Sequence, residues 1–466
     1  MTSPHRPANL PSRARPIIGS DSEPKASRVS IFPTWTLKTS GEIAPDERLP
    51  AGQTIALGLQ HVVAMFGSTA LAPILMGFDP NTAIFFSGIG TLIFFVLTGG
   101  RLPSYLGSSF AFIAVVIAAT GYSGSGPNPN IGVALGGIVA CGALYALIGF
   151  VVHLSGTAWI ERLMPPVVTG AIVAAIGLNL APVAVKSVSG SGFETAIGIV
   201  TALAVGLVAV RAGGLARRLP ILIGAAFSYL LYLVLANGFG LGKPVDFGKL
   251  AEAAWIGLPN LSTPVFSASA IVLIAPIAVI LVAENLGHIK GIAAMTGRNY
   301  DPLIGRGFIA DGLATMLSGF GGGTGVTTYA ENMGVMAVTR IYSTLIFVAA
   351  ALFAILLGFS PKFGALILTI PGPVIGGLAL VVFGLIAATG GRIWVQARTD
   401  FSEPRNLITV AVALIAGAGD LTIKFGDFAL GGIGTATFGA ILVYHLLGGG
   451  PAEPEALAPA DAESRR

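Results

Sequence analysis

Five ionisable side chains fall deep inside long apolar stretches of this chain: His61, Glu284, His288, Asp311 and Glu331. An ionisable group at membrane depth is expensive, so it marks function unless a structural partner accounts for it. Glu284 and His288 stand four positions apart in Val282-Ala283-Glu284-Asn285-Leu286-Gly287-His288, which puts both on one face of a helix. Glu331 follows the hydroxyl-rich stretch Thr327-Thr328-Tyr329-Ala330, with Gly321-Gly322-Gly323 and Gly325 upstream. A similar stretch, Ser108-Ser109-Phe110-Ala111, follows Gly107. Each reads as a short extended segment leading into a half-helix, and two such half-helices would aim free backbone N–H groups at a common point. Plainer roles compete. Asp311 is equally suited to bracing its helix against a backbone amide or to pairing with Arg340. His61 fits a hydrogen-bonded core histidine as well as a proton relay, and Phe110 and Tyr329 fit packing at the breaks.

The elements around these residues are apolar helices. Of the 466 residues, 54% are hydrophobic and 10% charged, where a soluble domain carries roughly a quarter charged residues. Stretches approaching the roughly 20 residues a helix needs to cross a bilayer recur from about residue 53 to 447. They divide into fourteen expected segments: 53–76, 82–98, 105–120, 131–154, 166–183, 195–210, 220–239, 268–290, 304–320, 324–339, 341–358, 363–388, 405–419 and 428–447. The third and tenth are too short and polar for full helices. With the N-terminus inside, the inner loops hold about twelve Lys and Arg against about five outside, the direction the positive-inside rule demands. Trp159, Trp255 and Trp394 lie near expected boundaries and suit interface anchors. An internal repeat is also visible. Besides the hydroxyl-rich stretches, Gly88-Ile89-Gly90-Thr91 echoes Gly312-Leu313-Ala314-Thr315 in the same order. The offset spans seven segments, an odd number, so the two halves would be inverted, with a site near the midplane between discontinuous helices.

Several function classes are excluded or disfavoured. The net charge of +4 is too small to indicate nucleic acid. The single cysteine, Cys141, lies in an apolar run and suits packing. No Cys/His cluster has metal-ligand spacing, and neither HExxH nor a nucleophile cluster indicates an enzyme. Residues 1–50 are polar and lack the apolar core of a signal peptide, so they are expected to form a disordered cytoplasmic arm. Residues 448–466 form a short tail, also expected to be disordered and cytoplasmic.

Four motifs in order resemble the nucleobase–ascorbate transporter family, the uracil–xanthine permeases. They are Gln60-His61, Tyr105-Leu106-Gly107-Ser108-Ser109-Phe110-Ala111-Phe112, Ala283-Glu284-Asn285-Leu286-Gly287-His288, and Glu331-Asn332-Met333-Gly334 with Thr339-Arg340. The likeness runs from about residue 50 to 447. Purine carriers commonly show Gln at the position of Glu331, so the pattern here is most similar to bacterial uracil permeases. The resemblance implies an all-α polytopic fold of fourteen segments in a seven-plus-seven inverted repeat, the third and tenth each a short strand plus half-helix. It implies a core, about 53–154 and 268–358, and a gate, about 166–239 and 363–447. It also implies that Glu284 and Glu331 hold the base and that backbone groups at Phe110 and Tyr329-Ala330 assist. Ser68 and Phe383 would line the pocket, and His61 and His288 would lie near the proton path, with Asp311 a further proton-coupling candidate. Asn285 stands where some uracil permeases have a second His, Ala330 replaces a Gly, and Phe383 replaces a frequent Tyr; these departures bear on specificity.

Uracil alternates N–H donors and C=O acceptors. A protonated carboxyl also presents a donor beside an acceptor and can pair with that edge in two parallel hydrogen bonds, whereas a carboxylate only accepts. Binding of base and of proton then favour each other. The expectation is therefore a proton-coupled symporter in the cell membrane, with both termini cytoplasmic, no cofactor beyond the coupled proton, and homodimerisation allowed by the resemblance. A xanthine or purine permease of the same family is the alternative. An anion carrier of similar architecture would suit two half-helix N-termini, but two pocket carboxylates would repel its substrate.

Overall fold

The computed structural model describes residues 32–448 except 123, 125, 215, 426 and 427; the rest of the expected N-terminal arm and nearly all of the tail lie outside the described residues. The chain is predominantly helical. Eight helices among the described residues are long and apolar enough to cross a membrane: Ala51–Met76, Pro80–Leu97, Ile131–Ser155, Pro166–Val188, Gly192–Arg211, Pro220–Gly238, Ala268–Thr296 and Gly372–Gln396. A ninth is reached if Thr344–Gly358 and Pro361–Leu368, bent by 83°, count as one span. The expected single segment 363–388 is thus divided. Its first part is the short helix Pro361–Leu368, and Pro371 opens a separate helix that runs on to Gln396, because a proline fits the start of a helix but not its middle.

Two short helices interrupt the pattern of long spans. Phe112–Thr120 and Ala330–Thr339 are 9 and 10 residues long, and each follows a three-residue strand, Leu106–Ser108 and Val326–Thr328. These inner strands pair antiparallel, with Leu106 opposite Thr328, Gly107 opposite Thr327 and Ser108 opposite Val326. Extended backbone at membrane depth needs internal partners, and the pairing supplies them. Two further bonds extend the ladder, Ser109 N–H to Gly325 O at 2.9 Å and Tyr329 N–H to Tyr105 O at 3.0 Å. The outer edges are met by threonines. Leu106 N–H donates to Thr91 Oγ1 at 2.9 Å and Val326 N–H to Thr315 Oγ1 at 3.1 Å.

Glycines let the supporting helices approach closely. Asp301–Gly321 packs on Ile131–Ser155, where a Cβ on Gly142 would lie 2.7 Å from Gly312 O and one on Gly312 2.7 Å from Gly142 O. Thr344–Gly358 packs on Pro80–Leu97, where a Cβ on Gly88 would meet Ala351 O at 2.6 Å. Small residues in such seams allow backbone contact inside a membrane.

Residues 32–50, assigned by composition to the disordered arm, are built into the fold. Thr36–Leu37 pairs with Glu47–Arg48, Ile43 bridges to Ile341 and is 1% exposed, and Trp35 Nε1 donates to Thr344 Oγ1 at 2.9 Å. Long-range contacts order this strap, and local composition carries no sign of them.

Candidate substrate site

Glu331 occupies the first turn of Ala330–Thr339, whose N-cap residue, Tyr329, is extended. The first N–H groups of a helix have no intrahelical partner, so this end presents donors beside the carboxyl. The Glu331 carboxylate side chain accepts a hydrogen bond from the wholly buried Ser68 hydroxyl on Ala51–Met76. Glu284 lies near the middle of Ile277–Thr296. Thr327 of the second inner strand lies beside its carboxyl, and Glu331 is near enough to act on it electrostatically. Glu284, His288 and Glu331 are all half-buried, and Ala330 beside them is exposed, so the cluster is open to entry. None of the ion pairs among the described residues involves Glu284, Glu331 or Asp311.

The remaining candidates divide by position. His288 Nδ1 lies 2.8 Å from Thr328 Oγ1, on the same strand that supports Glu284. Phe110 meets Phe383 edge to face at 5.8 Å, joining the first inner break to the long helix Gly372–Gln396. The Tyr329 side chain turns away into the core. Its hydroxyl donates to Ser108 O at 2.9 Å and accepts from Thr69 Oγ1 at 3.1 Å, so its side chain is engaged within the core. His61 is also withdrawn. It is 1% exposed, accepts from Asn332 Nδ2 through Nδ1 at 2.9 Å, and meets the Phe347 ring at a tilt of 56° with centroids 4.8 Å apart. Its visible work is to tie the Glu331 half-helix to Ala51–Met76. Asp311 does not pair with Arg340; its Oδ2 accepts from Asn285 Nδ2 at 2.6 Å.

Sequence reasoning did not give Asn285 or the two strand threonines a role. Asn285 is 1% exposed. Its Nδ2 also meets Tyr145 OH at 2.7 Å, and its Oδ1 accepts from Thr327 Oγ1 and Thr328 N–H, each at 3.1 Å, and from the Thr328 hydroxyl. The available signal was its polarity within an apolar stretch. One residue beyond Glu284, it turns about 100° around the helix and faces Asp311 instead.

A family model described as a permease family matches residues 52–425. A candidate pyrimidine permease of Escherichia coli K12, RutG, is 66% identical over 420 residues, covering 89% of this chain and 95% of the relative. Uracil permeases of Paenibacillus larvae and of Escherichia coli K12 are 42% and 41% identical, covering 86% and 88% of this chain and 95% of each relative. Among solved structures, the fold is similar to murine Solute Carrier 26 family member A9, an anion transporter in the inward-facing state (TM-score 0.62, 13% identity, 95% of this chain and 76% of that one). It is also similar to the transmembrane domain of a cyanobacterial bicarbonate transporter, BicA (TM-score 0.57, 14% identity, 84% and 96%). At such identities the likeness concerns the fold alone. The apolar helices and the sequence relatives converge, and the chain is a multi-pass membrane protein that belongs to the nucleobase–ascorbate transporter family, the uracil–xanthine permeases.

Proposed function

We propose that this protein is a proton-coupled symporter that imports uracil or a closely related pyrimidine by alternating access. The observation that carries the reading is the meeting of Glu284 and Glu331 at the open start of a half-helix, with no cation paired to either among the described residues. Two neighbouring carboxylates repel each other. A proton on one relieves the repulsion and creates the donor-beside-acceptor edge that a pyrimidine matches. Base and proton then load together. The relatives named as uracil permeases support this substrate class. An anion would face two carboxylates and is disfavoured on the same ground.

Glu284 and Glu331 hold the edge of the base in this reading, with Ser68 orienting Glu331. Backbone groups at Phe110, Tyr329 and Ala330 complete the polar contacts, and Phe383 covers the ring from the gate. His288 passes the proton, while His61 and Asp311 act from behind the site. Fourteen segments in an inverted seven-plus-seven repeat underlie the cycle. The matched use of Thr91 on Leu106 and of Thr315 on Val326 supports that repeat, since both threonines lie in the echoing tetrapeptides. The excess of inner basic residues supports cytoplasmic termini in the cell membrane, and a homodimer remains compatible with the family.

The test is uptake of labelled uracil, xanthine and sulfate into proteoliposomes under imposed pH or sodium gradients. Uracil should accumulate with an inward proton gradient and fail to accumulate once a protonophore is added. Accumulation driven by sodium and indifferent to pH, or uptake of sulfate alone, would contradict the proposal.

A further inference from the structure

Behind the candidate site, a backbone N–H that can only donate sets the direction of a chain of hydrogen bonds. Thr328 N–H meets the Asn285 side chain at 3.1 Å, so the atom receiving it is Oδ1 rather than the amide nitrogen. The amide is thereby oriented. Its two Nδ2 hydrogens point to Asp311 Oδ2 at 2.6 Å and Tyr145 OH at 2.7 Å. Tyr145 accepts there and turns its own hydrogen toward Leu281 O at 3.4 Å. Asn285 Oδ1 carries no hydrogen, so its contact with Thr328 Oγ1 must contain the threonine's hydroxyl hydrogen. That hydroxyl has only one. Toward His288 Nδ1, 2.8 Å away, it is therefore an acceptor, and the imidazole must donate.

We infer that Asn285 and Thr328 are positioning residues that hold neutral His288 as the Nδ1–H tautomer, leaving the Nε2 lone pair as the place where the ring takes up a proton. The inference rests on the proton-coupled reading above and specifies one step of it. A proton received at Nε2 gives an imidazolium that still donates through Nδ1 to Thr328; release from Nε2 restores the starting tautomer. No hydrogen in the chain behind it has to move. Glu284 lies one turn back on the same helix and acts electrostatically with Glu331 on the half-helix and with Asp311 and Tyr145 behind Asn285, where Cys141 lies near Asp311. Asp311 anchors the chain through one oxygen, while its Oδ1 has no partner among the described residues. The same amide bonds fix the second inner strand to Ile277–Thr296, so the device that sets the tautomer also sets where Glu284 stands against Thr327.

The test uses the full chain labelled with 15N-histidine in lipid bilayers, with His288 assigned by its loss in His288→Gln. At alkaline pH, without substrate, the His288 signals should report a protonated Nδ1 and a bare Nε2. Thr328→Val should erase that preference and Thr328→Ser should keep it. In proteoliposomes the pH profile of uracil uptake should move by about one unit in Thr328→Val and follow the parent in Thr328→Ser. A parent His288 protonated at Nε2 would overturn the inference. So would a Thr328→Val protein with the parent's tautomer and the parent's pH profile. The tautomer is read without substrate, so a parent protein that carries no uracil would overturn the transport reading separately.

Discussion

At the level of single residues, the proposed symport depends on carboxyls that both donate and accept. Glu331→Gln keeps a donor and an acceptor but cannot exchange a proton, and its amide alters the bond from Ser68. Uracil binding should weaken by about ten-fold, equivalent to about 1.4 kcal/mol, with xanthine gaining relative to uracil. Calorimetric titration of both bases checks this, and an unchanged uracil affinity would remove Glu331 from the site. Asn285 makes a different prediction, because its amide is fully used by Asp311, Tyr145 and the strand. Asn285→Leu strands several buried polar groups at about 1–3 kcal/mol each, so the melting temperature should fall clearly, whereas a variant as stable as the parent would show the network to be incidental. The two glutamates were legible in the sequence because acidic residues are rare in apolar stretches. The withdrawn positions of Tyr329 and His61 were not, since a type and a spacing do not tell which way a side chain turns at a break.

At the scale of the element, the inner strands and half-helices were readable from glycine and hydroxyl runs that cannot continue an apolar helix. The bend after Gly358 and the separate start at Pro371 were hidden by the apolar residues between them. The strap of residues 32–50 was hidden for the opposite reason, because its polar composition gives no local sign of Ile43 seated against Ile341. Two kinds of contact hold it, and their sizes differ. Removing most of the Ile43 side chain, 1% exposed, should cost about 2–4 kcal/mol. The Asp46–Arg298 pair lies 2.5 Å apart with both side chains 40% or more exposed, which limits it to under about 1 kcal/mol. Partial burial opposes ionisation of Asp46, but the Arg298 hydrogen bond and charge, with a backbone N–H, outweigh it and hold the carboxyl below its usual range. The pair's contribution is therefore complete above the ordinary carboxylate value and lost as pH falls through the lowered one. Thermal unfolding in detergent should show Ile43→Ala much less stable than Asp46→Asn at neutral pH. Equal losses would contradict an apolar anchor.

At the scale of the whole molecule, symport requires a fixed orientation and a cycle that moves base and proton together. Cys141 is buried and is the chain's single cysteine, so labelling of introduced cysteines is clean. Lys243→Cys should react with an impermeant reagent in intact cells and Arg217→Cys only after permeabilisation; the reverse pattern would invert the assigned topology. Whether the coupled proton rides on Glu284 is tested by one paired measurement: uracil binding by calorimetry and uracil accumulation in proteoliposomes under an inward proton gradient, in the parent and in Glu284→Gln. The amide still offers a donor and an acceptor, so binding should survive with affinity reduced by about ten-fold or less, while accumulation against a uracil gradient should be lost. A Glu284→Gln protein that concentrates uracil as well as the parent would show that the coupled proton does not ride on Glu284.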